Sequence, residues 1–266
     1  MYLPGAIDIG VNFHSSQLKP HVSDVLERAR QAQLAAVFAT GTSLESSKAA
    51  AALARAHPGF IFATAGMHPH VADQGSQAVL NEIARLLRLP EVVAVGECGL
   101  DYNRDFSSRA GQRQAFEAQL ALALSLKKPL FLHCRDAFVD FYPMVRSACE
   151  AGARGVVHCF TGDARQAEAF LELGLDIGVT GWVTDTNRGK SVREALPHIP
   201  LERLHLETDA PYLGPKNMKK RRPHNEPANV LWVALAVAEI VDAAAEEVVH
   251  FTSRASREMF ALPTSA

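Results

Sequence analysis

No run of about 18 or more apolar residues is present, so no transmembrane helix is expected. An excess of positive charge is lacking too, with 27 Lys and Arg against 29 Asp and Glu and a formal charge of −2. That excludes a generic cationic coat for nucleic acid and leaves room only for a local basic patch. The four cysteines, Cys98, Cys134, Cys149 and Cys159, show neither CxxC spacing nor the density of a disulfide scaffold. A reducing, cytoplasmic setting is expected, with no membrane and no obligatory protein partner. Met1–Gly5 lacks a basic stretch and a long apolar stretch before the first candidate strand, so no targeting peptide is expected there. No linker, low-complexity tract or shift in composition divides the chain, and a single domain over 1–266 is expected.

What is present is a steady alternation of short apolar runs and longer amphipathic segments. With 266 residues, 48% of them hydrophobic, the chain can bury a large core without disulfides or a structural metal. Candidate strands are Gly5–Gly10, Ala35–Thr40, Phe60–Gly66, Val92–Glu97, Leu130–His133, Gly155–His158, Leu175–Val179 and Leu204–Thr208. They are rich in Val, Ile, Leu, Phe and Ala, as parallel strands buried on both faces must be. Thr42-Ser43-Leu44-Glu45 reads as a capping box opening a helix to about His57. Gly111–Leu126 is amphipathic, Asp163 caps a helix carrying Phe170 and Leu171, and Ala228–Val241 and Ala245–Phe260 close the chain as helices. Strand-then-helix units repeated eight times fit a TIM-type (β/α)₈ barrel better than a doubly wound open sheet.

Metal-compatible side chains fall at the ends of these strands. Glu97 ends the fourth strand, His133 the fifth and His158 the sixth, and Asp209 directly follows the eighth. The carboxyl ends of barrel strands form the active-site face, so the four would converge on one metal-binding site. Four independent helix caps at four such ends explain the pattern less well than one shared site. Cys98, Cys134 and Cys159 each follow a proposed ligand, but strand side chains alternate, which turns the thiols towards the helices.

His68, in Gly66-Met67-His68-Pro69-His70, is read either as a contact to substrate or the metal's outer sphere, or as a turn histidine beside proline. Arg135 has the parity of His133 and could clamp a phosphate. Glu207 lies one layer below Asp209 and suits a supporting role behind the metal ligands. The segment Lys216-Asn217-Met218-Lys219-Lys220-Arg221-Arg222 puts five cations in seven residues on the same face. Such a run is usually a solvated loop; at an active-site rim it favours a polyanionic substrate.

Gly96-Glu97-Cys98-Gly99-Leu100-Asp101, Leu132-His133-Cys134-Arg135, Val157-His158-Cys159-Phe160-Thr161-Gly162 and Glu207-Thr208-Asp209-Ala210-Pro211 resemble the signature blocks of the TatD family of metal-dependent deoxyribonucleases. Gly66–His70 and Asn225-Glu226-Pro227 resemble two further blocks in the same order. The resemblance implies an amidohydrolase-like barrel that hydrolyses DNA with a divalent cation, RNA being left open as a second substrate. It implies Glu97, His133 and His158 as ligands and Asp209 as ligand or general base. Most of the family supplies two strand-one imidazoles, Asp-x-His-x-His, where this chain has Asp8-Ile9-Gly10-Val11-Asn12. The variant resembles the TatD branch proper, associated with 3′–5′ exonuclease action on single-stranded ends. Asn12 and Asp8 still offer oxygens suited to Mg²⁺, the favoured ion, with Mn²⁺ and Zn²⁺ compatible with the imidazoles.

Metal binding at these residues would acidify a water and polarise the phosphoryl oxygen, with Asp209 accepting the proton. The rival on the same scaffold is an amidohydrolase-type enzyme for a small amide or ester. A non-catalytic nucleic-acid binder using the basic loop leaves the four converging residues unexplained.

Overall fold

Strand and helix alternate in the computed structural model, which describes residues 3–219 and 222–263. Two of the basic loop's five cations, Lys220 and Arg221, lie outside the described residues. In chain order the elements are β1 (Ile7–Val11), α1 (Val22–Gln31), β2 (Ala36–Ala39), α2 (Leu44–Ala56), β3 (Ile61–Ala65), α3 (Gln77–Leu86), β4 (Val92–Asp101), α4 (Arg109–Leu126), β5 (Leu130–Arg135), α5 (Phe138–Glu150), β6 (Gly155–Val157), α6 (Ala164–Glu172), β7 (Asp176–Val179), α7 (Lys190–Ala195) and β8 (Leu204–Leu206). Helices α8 (Val230–Val241) and α9 (Ala245–Phe260) follow. The eight strands form one sheet in sequential order, β1 to β8, the topology of a (β/α)₈ barrel. All eight expected strands are present, with ends shifted by a few residues.

Two compact units can be described separately. In one, comprising 1–38, 159–171 and 176–266, β7 pairs in parallel with β8. A parallel bridge joins Val11 to Ala210, tying the end of β1 to the segment after β8. Helix α9 packs on β1 and β8 in this unit. In the other, comprising 39–158 and 172–175, β3 to β6 pair in parallel and α2, α4 and α5 pack on β3, β4 and β5. Every residue of β1 to β4 is buried, so these strands need apolar side chains on both faces. Among the described residues no single helix is long and apolar enough to cross a membrane.

Several helix starts differ from the sequence reading. Ser43, not Thr42, caps α2, in extended conformation, and its capping partner is Ser46, not Glu45. The register explains this: Glu45 stands at the second helical position and the reciprocal contact comes from the third. Ser108 caps α4, so that helix begins at Arg109, two residues before Gly111. Helix α8 begins at Val230, after a 3₁₀ turn over Pro227–Asn229. Asp163 Oδ1 accepts from Gln166 N at 2.9 Å, the expected cap of α6.

Strand β4 does not end at Glu97 but runs on to Asp101. Its register against β5 advances from Val95 opposite Leu130 to Cys98 opposite Leu132, so β4 carries one extra residue around Gly96 and Glu97. A bulge of this kind re-aims a side chain without ending the strand. Gly96 and Gly99 take φ of +139° and +148°, and a Cβ on Gly99 would stand 1.9 Å from the His133 carbonyl oxygen. The two strands approach this closely only because both positions are glycine. Gly99→Ala is therefore expected to destabilise the protein by about 2–4 kcal/mol, read as a lower denaturant midpoint at an unchanged slope; an unshifted midpoint would contradict the packing.

Candidate metal centre

Glu97 is displayed by the β4 bulge in a site that is almost wholly buried, the residue being 5% exposed. Its Oε1 lies 2.8 Å from His133 Nδ1, 2.9 Å from His158 Nε2 and 3.2 Å from His68 Nε2. His68 Nε2 and His133 Nδ1 are themselves 3.4 Å apart. The ligand atoms of His68, Glu97 and His133 all lie within 4.8 Å of one another. His158, directly after β6, meets the same carboxylate oxygen. The structure thus gathers three of the expected ligands, Glu97, His133 and His158, and adds His68 as a further donor beside Glu97 and His133.

Asp101 and His70 complete the cluster, and neither was singled out from the sequence. Asp101 Oδ2 lies 3.2 Å from His133 Nε2 and 2.8 Å from His70 Nε2, so His133 stands between two carboxylates. Two glutamines seven residues apart on α4 hold the backbone beneath. Gln112 bonds both Asp101 N (2.8 Å) and Asp101 O (3.1 Å), and Gln119 bonds both Met67 N (2.7 Å) and Met67 O (3.0 Å). Positions seven apart share a helix face, so one face of α4 positions the chain carrying His68 and Asp101.

The electrostatics follow from burial and crowding. Desolvation works against the Glu97 charge, but His158, His68 and His133 outweigh it and hold the carboxyl well below its ordinary range. Burial is the main reason that His68 is pushed down to about 4, which keeps its ring neutral with a lone pair to offer. For His133 burial again opposes the charge, but Asp101 and Glu97 prevail and raise its pKa. Burial raises Cys98 and brings Cys134 up to about 12. Burial thus disfavours the thiolate form at both positions.

Asp209 belongs to the other unit, in a segment that β8 and β1 hold in place. Its Oδ1 accepts from Asn12 Nδ2 at 2.8 Å, and its backbone takes the left-handed φ of +53°. Asn12 N donates to Ala210 O at 2.7 Å, so the strand-one asparagine grips both Asp209 and the residue after it. Asn225 Nδ2 donates to Thr208 O at 3.0 Å and to Tyr212 O at 2.7 Å, bracketing Asp209 from the far side. Glu207 is fully buried and accepts from Cys159 N, the residue following His158. Asp8 does not present a carboxylate for a cation; it accepts from Gly10 N, Thr208 N and Thr208 Oγ1.

Arg135 lies two residues beyond His133 and opposite Asp101 in the strand register. It is partly exposed, with Asp136 3.9 Å from its Nε. Of the basic loop, Lys216 N donates to Thr184 Oγ1 at 2.7 Å and Asn217 Nδ2 to Trp232 O at 3.0 Å, which anchors its start.

The donor chemistry fits a divalent cation. Three imidazole nitrogens crowd one carboxylate oxygen, more partners than its two lone pairs can serve, and at least one ring is neutral. An imidazole–carboxylate cluster in a parallel barrel is a donor set of the kind that holds the metal of metal-dependent hydrolases. The sequence model of the TatD-related DNase family matches residues 7–261, and the chain belongs to that family. A protein of Edwardsiella piscicida named 3′-5′ ssDNA/RNA exonuclease TatD is 46% identical over 258 residues, covering 96% of this chain and 99% of the relative. A solved TatD homologue from Escherichia coli K12 superposes with a TM-score of 0.89 at 29% identity, over 97% of this chain and 98% of that one. An uncharacterised amidohydrolase of Saccharomyces cerevisiae shares the fold, with a TM-score of 0.83 at 23% identity over 97% of this chain and the whole of the other (100%).

Buried Asp8 yields a pH signature. Desolvation, stronger than the hydrogen bonds from Thr208 and Gly10, raises its pKa to about 8. A group raised in the folded state contributes stability that is complete below its unfolded pKa, about 4. That contribution drains away as pH climbs from there through about 8. Asp8→Asn should flatten this slope, so melting temperatures of wild type and variant should diverge across that window in the variant's favour. Parallel curves would contradict the assignment.

Proposed function

We propose that this chain is a metal-dependent 3′–5′ exonuclease of single-stranded DNA and RNA, with 1–266 acting as one hydrolase domain. The observation that carries this reading is the meeting of three imidazoles on Glu97 Oε1 in a chain of the TatD-related DNase family. Relatives named as 3′-5′ ssDNA/RNA exonucleases, 46% and 45% identical, support the polarity and the substrate. Glu97, His133 and His158 would hold the ion, with His68 as a further donor. A bound divalent cation supplies a Lewis acid for the scissile phosphate and a more acidic water. Mg²⁺ is the ion proposed first, from the family resemblance; the nitrogen-rich donors suit Mn²⁺ and Zn²⁺ as well. The cysteines, with neither CxxC spacing nor the density of a disulfide scaffold, support a reducing, cytoplasmic setting for this reading.

The remaining steps belong to the protein's own side chains. Asp209, oriented by Asn12 at its Oδ1, accepts the proton of the attacking water as general base. Asp101 keeps the His133 ring in place through Nε2. Arg135 and the cations after β8 offset the charge of the phosphate and the flanking backbone.

Release of nucleotides from end-labelled single-stranded DNA tests this reading. Chelation should abolish it, and Asp209→Asn should slow it by about 10²- to 10⁴-fold, with Glu97→Ala at least as damaging. Activity that survives both chelation and the substitutions, or turnover of a small amide with none of DNA, would overturn the proposal.

A further inference from the structure

Among the described residues only three large hydrophobic side chains stand well exposed, Phe106, Val139 and Tyr212. Of these, Phe106 has a ring that meets a histidine of the cluster. It sits between β4 and α4 with 67% of its surface in water, and its ring meets His70 edge-on at 4.8 Å. His70 in turn packs on His68 at 4.2 Å and lies 2.8 Å from Asp101 Oδ2. An aromatic path of two ring contacts therefore runs from a buried donor of the cluster to an open surface. If Phe106 served only to shield His70 from water, most of its ring would be covered, and it is not.

The loop that bears it is held at both ends. Asp101 Oδ1 accepts from Asn103 N at 3.0 Å and from Arg104 N at 2.9 Å. Asp73 accepts from Ser108 N at 2.7 Å and from Ser108 Oγ at 2.8 Å, and Asp105 pairs with Arg109 through two bonds of 3.1 and 2.9 Å. A pinned loop presents an apolar ring to solvent with little ordering left to do on binding. Arg104, two residues before it, is exposed and adds a cation to the same loop.

We propose that Phe106 is the stacking platform for a nucleobase beside the scissile phosphate. The proposal rests on the single-strand nuclease reading and deepens it. An unpaired base can turn its π-face to the ring, whereas a base inside a duplex is already stacked on both sides, so the platform favours single strands. Stacking tolerates any base, which suits an enzyme that degrades a strand without regard to sequence. The edge of the platform then leads back through His70 to the cluster, where the phosphate is engaged.

The test pairs Phe106→Ala and Phe106→Trp with two oligonucleotides, one normal and one abasic at its last two 3′ positions. On the normal strand Phe106→Ala should raise KM by about 5- to 100-fold, and Phe106→Trp should restore it. On the abasic strand the difference between wild type and Phe106→Ala should shrink to near nothing. A second readout needs no turnover: with chelator present, normal single strands should quench the fluorescence of Phe106→Trp beyond the wild-type background, and abasic strands should not. Equal KM for wild type and Phe106→Ala on normal strands would overturn the platform while leaving the nuclease reading intact. Loss that is equal on both strands would assign Phe106 to holding His70 instead and would also overturn it. Failure of the wild type to bind or degrade single strands at all would remove both.

Discussion

Three imidazoles close on one oxygen, Glu97 Oε1, of a residue that is only 5% exposed. A carboxylate so buried would ordinarily take up a proton, because the charged form loses its hydration. Here the surrounding rings more than offset that loss, and Glu97 stays ionised. The arrangement demands a backbone that brings β3, β4 and β5 unusually close. A Cβ at Gly66 would stand 2.5 Å from Gly96 Cα, and one at Gly96 would stand 2.2 Å from the Phe131 carbonyl oxygen. The glycines therefore set how near His68, Glu97 and His133 can come, and the bulge in β4 sets the direction Glu97 faces.

The unit that carries Asp209 solves a different problem, that of fixing an aspartate on a short segment after a strand. Asn12 and Asn225 grip that segment from β1 and from the approach to α8, and buried Asp8 ties Thr208 from below. The Asn12–Asp209 hydrogen bond gives a role to the residue that stands where most of the family has a strand-one imidazole. The change from a second nitrogen donor to an amide that orients a carboxylate is consistent with a centre organised around Glu97.

Much of the fold was legible because buried parallel strands must be apolar on both faces, and that signal survives in the sequence at all eight positions. Glu97, His133 and His158 were legible because polar groups at the ends of such strands are conspicuous. Asp101 and His70 were not, for physical reasons that the sequence did contain. The pair Gly96 and Gly99 marks a strand that bulges and continues, and from Glu97 the same parity leads through Gly99 to Asp101. Ending the strand at Glu97 hid that alternation. His70 lies two residues beyond His68 across Pro69, and its contact with Asp101 depends on the turn that follows β3, which no periodicity encodes. Two capping patterns overlap at the start of α2, Thr42-x-x-Glu45 and Ser43-x-x-Ser46, and the chain adopts the second.

Glu97 is the hub of the proposed metal site. Its most direct test is the stoichiometry of divalent metal per chain, measured by elemental analysis after dialysis and by calorimetric titration, for the wild type and for Glu97→Gln. The wild type should retain at least one equivalent, and Glu97→Gln, which keeps the size of the side chain and removes its charge, should lose it while remaining folded. Equal metal content in the two folded proteins would contradict the account.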